Sequence, residues 1–257
     1  MKKPYEIAHE IIAQHRSRRR FFSLTGALVP RDIDEAYEAQ SALHALHAKG
    51  GRGALGGRKI ALASAVQQQL CGIDHPIAGG IFKSEIMDSP AEIARADYHG
   101  LGVEFELAVQ IGRDITAPGH DTASIRDHIA AIRPAFELII DREADYTTLD
   151  ARTMIADNAW CAGVILGDPI PDWHRHDINA LTCELDWTGE DTATAAAGDA
   201  DPLGSLAWVA NLFTGQGHRI RAGEIVITGS VIKTRYPKSA ITARYAIDGH
   251  AVELRIR

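Results

Sequence analysis

The chain has 257 residues, of which 46% are hydrophobic and 24% are charged. This composition is that of an ordinary globular protein, and it excludes the disordered, collagenous and coiled-coil classes. The formal net charge of -7 argues against a nucleic-acid partner, because affinity for phosphate groups comes from a basic face. No apolar run approaches the ~20 residues that a membrane span needs, so we expect no membrane partner either.

An arginine-rich stretch at residues 17–22 resembles a twin-arginine export signal. The apolar segment after it is interrupted by Ser23 and Gly26 and then reaches Pro30, which is not the pattern of a cleavable leader. The three cysteines have neither CxxC nor zinc-ligand spacing, so we expect buried thiols in a reducing compartment rather than disulfides. The sequence therefore predicts a cytoplasmic protein.

The first fifty residues have helical periodicity, over residues 5–20 and again over 32–48. Residues 51–56 then match the dinucleotide pattern G-x-G-x-x-G. Here a helix precedes the glycines and a strand follows them, which is the reverse of the order that the dinucleotide motif requires. We therefore expect only a helix-to-strand connection at these glycines.

Short strands dominate the rest of the chain, with two further helices near residues 122–132 and 203–214. The predicted strands are residues 58–62, 102–112, 135–140, 160–166, 180–187, 224–229 and 240–256. Within the last of these, Asp248-Gly249 predicts a hairpin turn. Residues 188–201 read as a mobile loop. The order of elements lacks regular βαβ alternation, so it predicts a mixed α+β fold with a largely antiparallel core.

Two carboxylates stand two residues apart on the predicted strand 102–112. Glu104 and Glu106 share one face of this strand, while Val103, Phe105 and Leu107 share the other. Residues two apart on a strand are roughly 6.6 Å apart, so both side chains could converge on one cation. Taken alone, such a pair is more often a solvated face than a metal site.

A third carboxylate, Glu137, lies within the apolar strand 135–140. A buried, unpaired carboxylate costs several kcal/mol, so Glu137 either has a partner or lies on a polar strand face, and the spacing favours neither alternative. Three carboxylates without cysteine or clustered histidine favour Mg²⁺ or Mn²⁺ over zinc. Four histidines, His44, His47, His174 and His176, are interpreted as structural.

A cation is needed near these carboxylates, because three of them with a divalent metal would still repel an anionic substrate. Lys59, on the short strand after the glycines, is the candidate. Its alternative is an ordinary lysine whose stem lies along apolar surface while its ammonium reaches water.

Six segments of the chain, taken together and in order, resemble the 2-keto-4-pentenoate hydratases, in the hydratase and decarboxylase branch of the fumarylacetoacetate hydrolase superfamily. These segments are Gly57-Arg58-Lys59-Ile60-Ala61-Leu62, Val66-Gln67-Gln68-Gln69-Leu70, Val103-Glu104-Phe105-Glu106-Leu107-Ala108, Pro134-Ala135-Phe136-Glu137, Ala156-Asp157-Asn158-Ala159 and Gly223-Glu224-Ile225-Val226-Ile227-Thr228-Gly229-Ser230. The resemblance covers nearly the whole chain, including the arginine-rich N-terminal helix.

The resemblance implies a mixed, largely antiparallel β-roll over residues 76–257, the catalytic domain, after a helix-rich segment over residues 1–75. It also implies homo-oligomeric assembly. The implied site residues are Glu104, Glu106 and Glu137 for Mg²⁺ or Mn²⁺, Lys59 as an acid-base group, and Gln68, Asp157 and Asn158 at the substrate pocket. For proton transfer by Lys59 we expect a pKa lowered by partial burial. Two departures from the family pattern, Lys83 after Gly80-Ile81-Phe82 and Asp201 before Pro202-Leu203, bear on substrate identity.

The expected activity is metal-dependent hydration of a small 2-hydroxy-2,4-dienoate to a 4-hydroxy-2-oxo acid, as in aromatic catabolism. Decarboxylation of a 2-oxo-3-enedioate is the alternative, and it needs a second cation, for which Arg142, Lys233, Arg235 and Lys238 are possible. Hydrolysis of a carbon-carbon bond would require a His-Glu dyad that the sequence does not show. The alternative from another functional class is a binding or structural relative that has no catalytic activity.

Overall fold

The computed structural model describes residues 2–257 and contains five α-helices and twelve β-strands in that range. The helices are α1 (Lys3–Arg16), α2 (Ile33–His47), α3 (Ala65–Leu70), α4 (Ala151–Ala156) and α5 (Pro202–Gly215). The strands are β1 (Leu55–Ala61), β2 (Ile77–Phe82), β3 (Ile86–Asp88), β4 (Ala91–Ile93), β5 (Leu101–Ile111), β6 (Ile129–Ile140), β7 (Cys161–Leu166), β8 (Thr182–Trp187), β9 (Ala193–Ala196), β10 (Ile225–Arg235), β11 (Ile241–Ile247) and β12 (His250–Ile256).

The two long N-terminal helices pack against each other through their apolar faces. Ile7 and Ile11 of α1 and Leu43 of α2 are buried in one cluster, as their helical spacing predicts. Asp32 caps α2, where its carboxylate accepts a hydrogen bond from the backbone N–H of Glu35. The predicted helices 5–20 and 32–48 are thereby confirmed, although the first ends at Arg16.

The strands form a seven-stranded sheet in the order β2-β1-β10-β5-β6-β7-β3 and a five-stranded sheet in the order β4-β12-β11-β8-β9. Three pairings are parallel, β1 with β10, β3 with β7 and β4 with β12, and the others are antiparallel. The prediction of a mixed, largely antiparallel α+β fold is confirmed. The predicted hairpin turn is confirmed as well, since Ile247 pairs with His250 around Asp248 and Gly249, both at positive φ.

Aromatic side chains join the two sheets into one core. The ring of Tyr245, from β11, lies 5.8 Å from the ring of Phe105 and 6.2 Å from that of Phe136, centroid to centroid. Because side chains alternate along a strand, packing Phe105 into this core directs Glu104 and Glu106 to the opposite face of the sheet. The core therefore decides where the acidic side chains point.

Two predictions about local structure are wrong. Residues 122–132 are not a helix: a short 3-10 turn at Ser124–His128 leads directly into β6, which begins at Ile129. Pairing of this part of β6 with β5, including Ile132 opposite Val109, overrides the local helical pattern. Residues 188–201 are not a simple loop, because they contain β9, which pairs with β8.

The expected division at residue 75 stays a prediction, although β1 pairs with strands from the other side of it. This strand belongs to the segment before residue 75, yet it lies inside the seven-stranded sheet between β2 and β10. It thereby carries Lys59 into the sheet that holds the glutamates. None of the helices within residues 2–257 has both the length and the apolar character that crossing a bilayer requires.

Candidate metal centre

Three carboxylates from two neighbouring strands meet on one face of the large sheet. Glu104 and Glu106 project from β5, and the antiparallel register places Glu137 of β6 directly opposite Glu104. One carboxylate oxygen from each residue lies within 4.8 Å of the others. Glu106 and Glu137 are fully buried, and Glu104 is half-buried.

Several oxygens in this group have no hydrogen-bond partner within residues 2–257. Glu106 accepts a 2.6 Å hydrogen bond from the Gly229 backbone N–H through Oε2, while its Oε1 has none. Glu104 accepts from the Thr234 hydroxyl at 2.7 Å. Oε2 of Glu137 has no hydrogen-bond partner among the described residues, and Oε1 lies 2.9 Å from the ammonium of Lys59. Buried oxygens without donors are costly, and they are the ligands that a hard cation prefers, so the residues fit Mg²⁺ or Mn²⁺.

An irregularity in β10 makes the amide of Gly229 available to Glu106. The pairing of β10 with β5 shifts register between Ile227 and Ser230, so the backbone between them leaves the regular ladder. Gly229 lies at this irregularity with a φ of 105°, which only glycine adopts easily. The backbone conformation at this irregularity thus explains why residue 229 is a glycine.

Lys59 lies beside the carboxylates on β1 and is almost completely buried. Its Nζ lies 2.9 Å from Oε1 of Glu137 and donates a hydrogen bond to the carbonyl of Ala159 at 3.1 Å. Burial alone would lower the pKa of Lys59, but the carboxylates of Glu137 and Glu104 outweigh it, and the pKa rises above its usual value. The expectation of a lowered pKa is therefore wrong in sign, because the lysine is ion-paired.

The net charge of Lys59 and the three glutamates is negative enough to accommodate a divalent cation. Three carboxylates and one ammonium sum to -2, which a doubly charged ion would neutralise. Burial and neighbouring carboxylates raise the pKa of Glu106 well above its usual range, and burial raises that of Glu137 to about 7. Burial thus disfavours the ionised carboxylates, and a bound cation would supply the countercharge that Lys59 alone does not.

A cavity of about 840 Å³ opens over this group, and Lys59, Glu104 and Glu106 form one part of its wall. Much of the remaining wall is apolar or aromatic. It includes Leu62, Leu70, Ile139, Tyr146, Leu149, Met154, Trp160, Trp208 and Tyr236. Within the described part of the chain, no histidine borders the cavity. A buried ionic group at one place and apolar walls elsewhere suit a small acid with an uncharged remainder.

The residues expected at the substrate pocket lie just outside it. Gln68, on the short helix α3, donates its amide to the carbonyl of Leu62, and its neighbour Gln67 borders the cavity instead. Asp157 is buried and ion-paired with Arg142, and its Oδ1 lies 2.6 Å from Nε2 of His15. None of Gln68, Asp157 and Asn158 is part of the cavity wall. Their contact with substrate therefore stays a prediction.

Asn158 turns its side chain away from the cavity, toward β2. Its amide bonds both the N–H and the carbonyl of Gly80, and its Oδ1 lies 2.7 Å from Nε2 of His44. Sequence reasoning missed this link, and it missed the aromatic cavity wall formed by Trp160 and Trp208. Neither had a signal in the sequence, because each depends on contacts between distant segments.

Comparison with known proteins places the chain in a family. The family described as fumarylacetoacetate (FAA) hydrolase C-terminal matches residues 78–257. The chain belongs to the fumarylacetoacetate hydrolase superfamily. A 2-keto-4-pentenoate hydratase of Paraburkholderia xenovorans is 27% identical over 228 residues, covering 88% of this chain and 84% of that protein. Another, of Paraburkholderia phymatum, is 31% identical over 237 residues, covering 91% and 89%.

Among solved structures, 4-oxalocrotonate decarboxylase from Pseudomonas putida G7, complexed with magnesium and adipate, matches with a TM-score of 0.89. The identity is 21%, and the match covers 100% of this chain and 98% of that one. This likeness confirms the fold. The resemblance of the sequence to the hydratase and decarboxylase branch of the superfamily is confirmed by these matches.

Proposed function

We propose that this protein is a metal-dependent hydratase that adds water to a 2-hydroxy-2,4-dienoate and yields a 4-hydroxy-2-oxo acid. The observation that carries this is the buried group of Glu104, Glu106 and Glu137, with unpartnered oxygens, in the wall of a largely apolar cavity. The relatives named 2-keto-4-pentenoate hydratase support it.

Glu104, Glu106 and Glu137 would hold Mg²⁺ or Mn²⁺. A fumarylpyruvate hydrolase of similar fold is in complex with Mn²⁺ and pyruvate, and the decarboxylase is in complex with magnesium and adipate, which supports both the ion and a small acid as ligand. When bound, the ion would supply Lewis-acid stabilisation of negative charge on the carboxylate and 2-oxygen of the substrate. The chain's own residues supply the proton transfers and the environment.

Lys59 would act as the acid-base group of the reaction. Its ion pair with Glu137 keeps it an ammonium, so it begins as a proton donor. A proton leaves the 2-hydroxyl and another is added at C5, which gives a conjugated 2-oxo-3-enoate; water then adds its oxygen at C4 and a proton at C3. Lys59 would donate the proton at C5 and be reprotonated from the 2-hydroxyl.

The decarboxylase alternative has less support in the cavity. A second substrate carboxylate needs a cation, and of the four that the sequence offers only Lys233 borders the cavity. Arg142 is buried in its ion pair with Asp157, and Arg235 is paired with Glu190 at 2.8 Å. The fourth, Lys238, lies outside the cavity wall, whereas the acidic Asp199 and Asp201 are part of it. The departure at Asp201 thus opposes a doubly negative substrate.

The test is incubation of the purified protein with 2-hydroxypenta-2,4-dienoate while the absorbance of the dienol is followed, with and without Mg²⁺. We expect metal-dependent decay and a 4-hydroxy-2-oxo acid as the product. A panel of C5 to C7 dienols and 2-oxo-3-enedioates separates hydration from decarboxylation. Absence of metal-dependent decay with every dienol would refute the proposal, and release of CO₂ from the enedioates alone would favour the decarboxylase.

A catalytically silent relative makes a different prediction. Such a protein would show no Mg²⁺ binding by calorimetry, or binding that is unchanged in Glu106→Gln. The proposed hydratase would bind the ion and lose affinity in that variant. Assembly of several copies, which the family resemblance implies, stays a prediction.

A further inference from the structure

Three consecutive residues after α4 have a left-handed backbone. The φ angles of Asn158, Ala159 and Trp160 are 54°, 47° and 61°. None of the three is glycine, and residues with a Cβ adopt this region at an energetic cost. A run of three persists only where surrounding groups hold it, so this segment must be stabilised by specific contacts.

The side chain of Asn158 supplies those contacts. Its Oδ1 accepts from the Gly80 N–H at 2.7 Å, and its Nδ2 donates to the Gly80 carbonyl at 2.8 Å. Nε2 of His44, on α2, lies 2.7 Å from the same Oδ1. The glycines allow this closeness, because a Cβ on Gly79 would lie 2.6 Å from the Asn158 carbonyl oxygen and one on Gly80 would lie 2.8 Å from the His44 ring.

The middle residue of the segment turns its carbonyl toward Lys59. Ala159 O accepts a hydrogen bond from Lys59 Nζ at 3.1 Å, while Oε1 of Glu137 lies 2.9 Å from the same nitrogen. The ammonium is thus held between a carboxylate of the metal centre and a carbonyl whose direction depends on the left-handed backbone. Without that carbonyl, Glu137 alone would hold the ammonium, and Nζ could turn away from the substrate.

We propose that His44 and Asn158 are positioning residues, which fix Lys59 for proton transfer through the carbonyl of Ala159. This inference rests on the proposed function. Neither side chain borders the cavity, so this role does not require either of them to contact the substrate. Their loss should therefore lower kcat without changing KM. His44, first interpreted as structural, thereby has a role in the reaction.

The first test compares three variants on α2. His44→Leu removes the donor to Asn158, and His44→Gln keeps a side-chain N–H in its place. His47→Leu is the matched control, because His47 makes the same edge contact with Phe82, at 5.9 Å against 5.7 Å for His44, without being the partner of Asn158. We expect kcat for the dienol to fall about tenfold or more in His44→Leu. It should recover in His44→Gln and stay at the wild-type value in His47→Leu.

The second test uses Asn158→Gly, which keeps the freedom to adopt positive φ and removes the side-chain hydrogen bonds. We expect a similar loss of kcat with an unchanged calorimetric affinity for Mg²⁺, since the three glutamates are untouched. Crystal structures of His44→Leu and Asn158→Gly should show Lys59 Nζ displaced from Ala159 O.

Wild-type kcat in both His44→Leu and Asn158→Gly, or an unchanged distance between Lys59 Nζ and Ala159 O, would overturn the inference. An equal loss in His47→Leu would also overturn it, because the effect would then be one of packing. If the wild-type protein does not consume the dienol, the proposed function fails, and the crystallographic distance alone still decides whether these residues position Lys59.

Discussion

At the scale of single residues, the site is governed by an excess of negative charge in a buried place. Glu106 and Glu137 are completely enclosed, and Lys59 offsets only one of the three carboxylates. Attraction between unlike charges is stronger away from water, so the lysine is held firmly here, and a divalent ion would be held firmly as well. In the proposed function the lysine and the ion would have separate tasks, which substitution can distinguish.

We predict that Lys59→Met strongly lowers turnover and leaves metal binding intact. Removal of the acid-base group should lower kcat by roughly 10² to 10⁴. The carboxylates all remain, and they have lost a competing cation, so the calorimetric affinity for Mg²⁺ should not fall. Lys49→Met, at an exposed position, is the control and should be as active as the wild type. An active Lys59→Met would show that the lysine has been misassigned.

The contribution of His44 to stability should be lost as the pH falls from about 6.5 toward 4. Burial lowers the pKa of His44 to about 4, while the same histidine in the unfolded chain titrates near 6.5. The unfolded state then binds protons before the folded state does, so stability that is present above pH 6.5 is lost as the pH drops through this window. Urea unfolding at pH 7 and pH 5 measures the change.

The matched variant for this pH dependence is His44→Gln, which has no group that titrates in the window. Its free energy of unfolding should fall less between pH 7 and pH 5 than that of the wild type. An equal fall in both proteins would mean that His44 does not contribute to the acid sensitivity.

At the scale of elements, the site depends on the pairing of β1, β10, β5 and β6. β5 and β6 bring the glutamates together, and β1, held next to β10, adds Lys59 from a segment far away in the sequence. β2 then continues the sheet and brings Gly79 and Gly80 against the left-handed segment at Asn158. The fold thus requires the backbone of Gly79 to lie close to the backbone of Asn158.

We predict that Gly79→Ala destabilises the protein by about 1 to 3 kcal/mol, because the added methyl group would lie 2.6 Å from the carbonyl oxygen of Asn158. Gly50→Ala is the control, since a Cβ there has nothing within 4 Å. Denaturant unfolding of the two variants gives the difference. If Gly79→Ala is as stable as Gly50→Ala, the contact between β2 and the left-handed segment is not tight in solution.

At the scale of the whole molecule, the sequence was informative where a local pattern decides the structure. Alternation along residues 103–111 predicts both the strand and the shared face of Glu104 and Glu106, because a strand repeats every two residues. The Asp-Gly turn follows from backbone preference in the same way. The three carboxylates do meet, as that alternation and the family resemblance led us to expect.

Features that depend on contacts between distant segments were not predictable from local patterns. Ala159 O meets Lys59 across one hundred residues of chain, and His44 meets Asn158 across 114. The part of β6 before residue 133 reads as a helix locally and becomes a strand only through β5. The raised pKa of Lys59 likewise depends on a carboxylate from another strand.

If Glu104, Glu106 and Glu137 hold one divalent ion, calorimetric titration with Mg²⁺ or Mn²⁺ should detect it. We expect one ion per chain, with affinity reduced about tenfold or more in Glu106→Gln and in Glu137→Gln. The exposed Glu184→Gln should bind as the wild type does. No binding by the wild type, or equal affinity in all four proteins, would show that these three carboxylates do not hold the ion.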